Sequence, residues 1–321
     1  MPIGAEQRYY LKLKAVYYYY EKDYTQTEIA QMLNVSRITL GKLLKEAREE
    51  GMVKIDIVDQ RNVKHLLEME SRLRERFDLT DVKVVDCVEN DKSEITRKIA
   101  MAAARYVEHI LRPNTKIGIA WGHTLEMMVD FLSENRSVSG LEVVTLLGGA
   151  GTADSMIQPN ILAQRLIQKY GGVGYIINAP YLCQSEELCQ AIKREPHIAD
   201  ALERSKHTDM TLIGIGECPD LSAGYDSNYR YSNEITRELL EKHAVGDICA
   251  NFFDINGNPC VSSVSGKVVS IDLADLREHK KVIAAGGGPN KHDSVLGALR
   301  GGYVDVLITD KFTADAVLSK C

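Results

Sequence analysis

No apolar run in this chain approaches the roughly 20 residues that span a bilayer. Its first residues also lack the apolar core of a signal peptide. These two absences lead to the expectation of a cytoplasmic protein with no membrane partner. No Cys-x-x-Cys occurs, and the 7 cysteines are odd in number and irregularly spaced. Cys183 and Cys189 lie close, but no second ligand pair accompanies them, so no zinc site is expected. Reduced, mostly buried thiols are the expected state. The histidines are scattered and form no metal signature. No Gly-x-Gly-x-x-Gly follows the first strand of a βαβ unit, which argues against a nicotinamide dinucleotide. Gly-x-x-x-x-Gly-Lys-Ser/Thr is also missing, so nucleotide hydrolysis has no support and no cofactor is expected. Nor is there an excess of positive charge: 39 Lys and Arg face 45 Asp and Glu, for a net −6.

That charge balance alone argues against a nucleic-acid partner. DNA, however, feels the local field of one face rather than the whole chain. Residues 25 to 50, TQTEIAQMLNVSRITLGKLLKEAREE, read as two short helices around a tight turn. This is the pattern of a helix-turn-helix. Thr25 and Glu28 form a capping box. Ile29, Ala30 and Leu33 fall on one helical face. Asn34 tolerates a left-handed turn, and Ser36 caps the next helix. Ile38, Leu40, Leu43, Leu44 and Ala47 supply its apolar positions, with Leu40 and Leu43 best placed to pack inward. Arg37, Thr39 and Lys42 face outward near its start, where recognition helices touch bases and phosphates. Gly51 ends the helix, and MVKIDIV (52–58) alternates as a wing strand would. An ordinary αα-hairpin is the plainer alternative, but the ordered set of cap, turn, cap and wing is more specific. Glu46, Glu49 and Glu50 dilute the basic residues here, so useful DNA affinity should need a homo-oligomer, a dimer or tetramer, engaging several half-sites. Upstream, residues 8 to 22 form another helical pattern. Its run Tyr17 to Tyr20 reads as packing, with the Tyr19 hydroxyl in reach of a phosphate.

A chain of 321 residues accommodates a small domain plus a large one. Residues 1–58 form the DNA-binding unit. Residues 59–79 hold a linker helix, which serves as a dimer seam or packs on the next domain. Residues 80–321 alternate strand and helix patterns, as in an α/β domain with a mostly parallel sheet covered on both faces. Expected strands are 82–86, 116–121, 141–147, 174–180, 210–216, 280–288 and 304–310. Residues 248 to about 271 read as an antiparallel insert that turns at Asn256-Gly257.

In open parallel sheets, ligands sit beyond the carboxyl ends of the strands. Three glycine-bearing strand ends are candidates. Gly122, His123 and Thr124 lie between strand and helix, where backbone amides, a hydroxyl and the helix dipole suit a phosphate. Gly148 and Gly149 close the next strand, followed by Gln158 and Asn160. Gly286-Gly287-Gly288 precedes Lys291, a point charge for a phosphate. A plain strand-to-helix turn would explain any one of them; together they favour a phosphorylated or polyhydroxyl ligand.

The stretches YYYYEKDYTQTEIAQMLNVSRITLGKLLKEAREEGMVKI, IGIAWGHTL, GDICANFFDINGN and AAGGGPNKHDSVLGALRGGYVDVLITDKFTADAVL resemble the SorC-type family of bacterial sugar-responsive transcriptional regulators. The resemblance covers nearly the whole chain with the motifs in order. It implies a C-terminal domain similar to sugar-phosphate isomerases of the glucosamine-phosphate and ribose-phosphate type, kept as a sensor without catalysis. It further implies operator DNA and a phosphorylated sugar effector as partners, and assembly into dimers or tetramers. By that resemblance Gly122, His123 and Thr124 match the phosphate loop. Asp247 matches an acidic residue on ligand hydroxyls, Lys291 a lysine on ligand or phosphate, and Tyr19 and Gln26 DNA-contacting positions. His123 departs from the small hydroxyl residue, Gly or Arg common there. Leu147 stands where some members carry Lys or Arg; it cannot form the Schiff base that one branch uses. Reversible, non-covalent effector binding is therefore expected.

Asp247 also reads as a turn residue, and Asp254 with Gly257 as hairpin shaping. The expected function is a repressor of a carbohydrate catabolic operon, released by a sugar phosphate. An isomerase or deaminase with an appended DNA-binding unit is the rival, with Asp247, His123 and Asp310 as its available acid–base groups. A C-terminal domain serving oligomerisation alone is a third reading.

Overall fold

The computed structural model describes residues 5–55, 59, 63–150, 158–218 and 231–321. The chain divides into two compact units, Met1–Asn62 and Val63–Cys321.

In the first unit, helix α1 (Ala5–Val16) runs into a π-helical turn over Tyr17–Glu21, followed by α2 (Gln26–Met32) and α3 (Arg37–Glu49). The Thr25 capping box forms: the Thr25 amide donates to Glu28 Oε2 at 2.8 Å, and the Glu28 amide donates to Thr25 Oγ1 at 3.3 Å. The Thr25 hydroxyl, donating to Glu28 Oε2 at 2.7 Å, and then the Thr25 amide hold the Glu28 carboxyl below its ordinary range. Asn34 makes the turn with φ of 52°. Ser36 caps α3 by accepting from the Thr39 amide at 3.0 Å. Ala15, Ile29, Ala30, Leu40 and Leu44 form a small core, with Tyr18, Tyr19 and Tyr20 packed against it. Two ion pairs one helical turn apart, Arg8–Glu46 and Lys12–Glu50, tie α1 to α3.

One expectation changes here, and one apolar position of α3 stays outside the core. Ile38 does not join the core but stands out from α3, 76% exposed. Its position one residue past the helix start puts it on the face opposite Leu40 and Leu44. No strand forms over Met52–Ile55; residues 56–58, the rest of the expected wing, lie outside the described residues.

In the second unit, helix α4 (Lys64–Phe77) buries Leu66 and Leu73 in the same core as the sheet. It packs on β1 (Asp81–Val85) and on α13 (Lys311–Ser319) rather than standing apart as a linker. Glu70 fixes the pairing by accepting from the Val84 amide at 2.9 Å. The order continues α5 (Lys92–Ile110), β2 (Lys116–Ile119), α6 (His123–Phe131), β3 (Leu141–Thr145), α7 (Pro159–Tyr170), β4 (Gly172–Tyr175), α8 (Glu186–Lys193) and α9 (Pro196–Ser205). Then follow β5 (Met210–Gly214), β6 (Gly216–Glu217), α10 (Asn233–Glu241), β7 (Ala244–Ile248), β8 (Asn251–Asp254), α11 (Leu273–Leu276), β9 (Val282–Ala285), α12 (His292–Arg300) and β10 (Val306–Asp310).

Seven parallel strands order as β1-β10-β9-β5-β2-β3-β4. Every residue of β9 and β10 is buried, as expected of strands covered on both faces. The chain moves outward from β2 through β3 and β4, and the other way from β5 through β9 and β10, with β1 at the far edge, so its direction reverses between β2 and β5. That reversal opens a crevice at their carboxyl ends.

A separate antiparallel sheet, β6-β7-β8, flanks this point. Its hairpin turns at Cys249-Ala250, upstream of the expected Asn256-Gly257. Both turn residues have positive φ, 53° and 63°, the backbone that a tight two-residue hairpin demands. Such values are costly for residues other than glycine. The Ala250 amide donates to Asp247 Oδ2 at 3.0 Å, and Asn251 Nδ2 donates to the carbonyls of Ile248, Cys249 and Ile271. These bonds hold the turn. Asn256-Gly257 makes a second turn, braced by Asp254, which accepts from the Asn256 and Asn258 amides. It leads only to an isolated bridge, Phe253 with Pro259.

Candidate functional site

The crevice between β2 and β5 is a cleft with a cavity volume of about 120 Å³. The chain leaves β2 through Ala120, Trp121 and Gly122 and enters α6 at His123. Gly122 is needed for its backbone, with φ of 121°; a Cβ there would meet no neighbour. No side chain caps the start of α6, so its amides and the positive end of its dipole face the cleft. Gly122, His123 and Thr124 line that wall. His123 is exposed and lies 3.6 Å from Glu126.

Lys291, which precedes α12, lines the opposite wall and donates to the Ile215 carbonyl at 2.6 Å. Burial pushes its ammonium below the ordinary lysine range, against the opposing pull of Glu217 and Asp247. Asp247 is buried on β7, opposite Gly216 in the ladder. A Cβ on Gly216 would collide with its carboxylate, so glycine is required for Asp247 to reach the cleft. Lys92, at the start of α5, and Glu217 also line the site, 3.9 Å apart at Nζ and Oε1. The cleft therefore pairs cations and a helix start with two carboxylates.

Five of the eight expected effector residues meet here: Gly122, His123, Thr124, Asp247 and Lys291. Gly148, Gly149 and Gln158 do not line the cleft. Gly148 donates to the Val269 carbonyl at 2.9 Å, and a Cβ on it would strike the backbone of Ala179 to Tyr181. Gly149 exchanges backbone bonds with Ala179 and Tyr181. Gln158 Oε1 accepts from the Ala150 amide at 2.8 Å. These glycines serve close packing of a crossing segment, and residues 151–157 beside them lie outside the described residues. Lys92, Thr96, Trp121, Glu217 and Cys249 line the cleft without having been singled out. Gly214-Ile215-Gly216-Glu217 is a fourth glycine-bearing strand end, so Glu217 was open to the same reasoning. Lys92 had no local signal; only the fold brings the start of α5 to this point.

Of the acid–base groups of the rival enzyme, His123 and Asp247 reach the cleft and Asp310 does not. Both Asp310 oxygens are committed to holding the Gly286–Gly288 turn and the start of α13. Among the described residues no cluster of three or more His, Cys, Asp or Glu suits a metal. No helix among them is long and apolar enough to cross a membrane.

In the first unit, Arg37, Thr39 and Lys42 are exposed on α3, as expected. The hydroxyls of Ser36 and Thr39 lie 2.8 Å apart and bond each other. Gln26 opens α2, half-buried, and the Tyr19 ring packs edge-on against Tyr20 at 4.9 Å.

The family model described as "Putative sugar-binding domain" matches residues 61–319. A deoxyribonucleoside regulator of Bacillus subtilis (strain 168) is 31% identical over 309 residues, 96% of this chain and 97% of that protein. A sorbitol operon regulator of Klebsiella pneumoniae is 30% identical over 309 residues, again 96% of this chain and 97% of that one. This chain belongs to the SorC-type family of transcriptional regulators. The crystal structure of the full-length sorbitol operon regulator SorC from Klebsiella pneumoniae superposes with a TM-score of 0.74 at 29% identity, covering 96% of this chain and 98% of that one. The likeness thus extends through both units. These relatives are transcriptional regulators rather than enzymes, and so is this chain.

Proposed function

We propose that this regulator is a cytoplasmic repressor of a carbohydrate operon, released when a phosphorylated sugar binds non-covalently in the cleft at the ends of β2 and β5. The single observation that carries this reading is the juxtaposition of the α6 start and Lys291 with Asp247 and Glu217. An uncapped helix start and a lysine suit a phosphate, and the buried Asp247 carboxylate with the half-buried Glu217 suits sugar hydroxyls. A cavity of about 120 Å³ suits a compact ligand, since sites for drug-sized molecules run to roughly 300–1,000 Å³. Leu147 is fully buried and has no amine to offer an effector carbonyl. In this reading Arg37 and Lys42 contact operator DNA, with Ser36, Thr39, Tyr19 and Gln26 beside them. Two or more copies of the chain engage paired half-sites, and the effector favours the arrangement that no longer fits their spacing.

A panel of pentose, deoxypentose and hexose phosphates, each paired with its free sugar, tests the ligand class by thermal shift. A ligand at 100 times its Kd adds about 2.7 kcal/mol to the native state. One phosphorylated member should raise the melting temperature while its free sugar does not. Equal shifts from both would remove the phosphate from the reading. The sign is tested in a strain lacking the regulator: target transcription should rise, and a fall would make the protein an activator.

A further inference from the structure

On the reading of α3 as the recognition helix, we propose that Ile38 reads the 5-methyl group of a thymine and that Gly41 clears the way for it. Four residues share the outward face of α3: Ile38, Gly41, Lys42 and Lys45, at the spacing i, i+3, i+4 and i+7. Ile38 is 76% exposed, beyond most large apolar residues of the chain. A single exposed isoleucine needs no explanation. The glycine one turn on does. A glycine inside a helix costs about 1 kcal/mol against alanine. Gly41 has an ordinary helical backbone, and a Cβ built on it would meet nothing within 4 Å. No packing within the described residues accounts for its missing side chain. A surface that must approach very closely does account for it.

The surroundings select the occupant. Arg37, Lys42 and Lys45 are exposed around the gap and suit a polyanion. The nearest neutral polar groups, the Ser36 and Thr39 hydroxyls, are taken up by each other and by the helix cap. An apolar knob, a cleared strip and flanking cations together match the floor and walls of a DNA major groove. The only methyl group that groove presents is that of thymine. Ile38 is thereby a specificity-determining residue, distinct from the cations that supply affinity to any sequence.

The test uses the full-length chain and the duplex that it enriches from a randomised pool. Each thymine is replaced in turn by deoxyuridine, which removes the methyl and nothing else. Loss of a buried methyl contact should weaken binding roughly threefold to tenfold at one symmetry-related position per half-site. Ile38→Ala should weaken binding to the thymine duplex by a similar factor and be insensitive to uracil at that position. Gly41→Ala should melt at a slightly higher temperature than the parent yet bind at least about tenfold more weakly. No sensitive thymine, or an unchanged uracil pattern in Ile38→Ala, overturns the assignment of Ile38. Parental affinity in Gly41→Ala overturns that of Gly41. The double variant Arg37→Ala with Lys42→Ala separates the two levels: if it binds as the parent does, α3 is not the recognition helix, and the inference falls with that reading.

Discussion

Replacing Asp310 with alanine is expected to destabilise the second unit by about 3–5 kcal/mol, the largest effect of any single substitution considered. The carboxylate is fully buried. Its Oδ2 accepts from the Gly288 amide at 2.9 Å and from Thr313 Oγ1 at 2.6 Å. Its Oδ1 accepts from the Phe312 and Thr313 amides at 2.9 and 3.0 Å. Hydrogen bonds to a charged group contribute roughly 1.5–3 kcal/mol each; the Phe312 and Thr313 amides would lose this acceptor, and the Gly288 amide would keep only Thr313 Oγ1 at 3.0 Å. The effects overlap, so they do not simply add. Asp310→Asn should cost less, because the Oδ1 bonds survive; the Gly288 donation to this side chain is lost, and the Thr313 hydroxyl must turn to accept from the new amide. The urea midpoint of the second unit's transition reads the difference. A loss below about 1 kcal/mol in Asp310→Ala would mean that this network contributes little. Because a Cβ on Gly287 would strike the same carboxylate, Gly287→Ala should also be poorly tolerated.

Lys291→Ala is expected to lower affinity for the phosphorylated effector by about 10- to 100-fold, the range of one charge-assisted hydrogen bond. The pH dependence makes the assignment specific. A lysine holds an anion only while protonated, and burial has lowered the value at which Lys291 loses its proton. Affinity should therefore fall as pH rises through a range below the ordinary lysine value near 10.5. Stability of the ligand-free protein runs the other way. The unfolded lysine keeps its proton longer than the folded one, so this group's contribution increases with pH across the same window. Lys291→Arg keeps its charge throughout and should abolish the alkaline loss of affinity. Titration calorimetry at several pH values checks both variants. If affinity in the parent did not change with alkaline pH, Lys291 would not hold the phosphate.

Both predictions concern glycine turns that follow parallel strands, and these were the most legible part of the sequence. β2 with α6 and β9 with α12 each show an apolar run, a glycine and then helical periodicity. That pattern reports a strand buried on both faces, and the structure follows it closely. Places where tertiary contacts override local signal were less legible. Asn256-Gly257 is a strong local hairpin cue, yet the hairpin turns at Cys249-Ala250, a pair that local preference disfavours. Asp247 and Asn251 hold that turn by bonds which no spacing rule reveals. GYIINAP has strand composition, but β4 occupies only Gly172–Tyr175, and Pro180 makes an isolated bridge to Gly149. Gly148 and Gly149 resemble a phosphate turn in sequence; in space they make room for that crossing segment. Ile38 stands among the apolar positions of α3 in sequence, and apolar periodicity alone cannot tell a core residue from an exposed one.

Among the described residues, strand β1 has a single neighbour, β10, and Lys311 reaches back 225 positions to bond Asp86 at 2.7 Å. The first described strand of the second unit to leave the ribosome must therefore wait for the last before it is paired. A translation product that stops short of β10 would carry a finished DNA-binding unit on an open sheet whose Gly286–Gly288 turn lacks Asp310. Such a fragment should bind no ligand in the cleft, because the sheet that shapes it is incomplete.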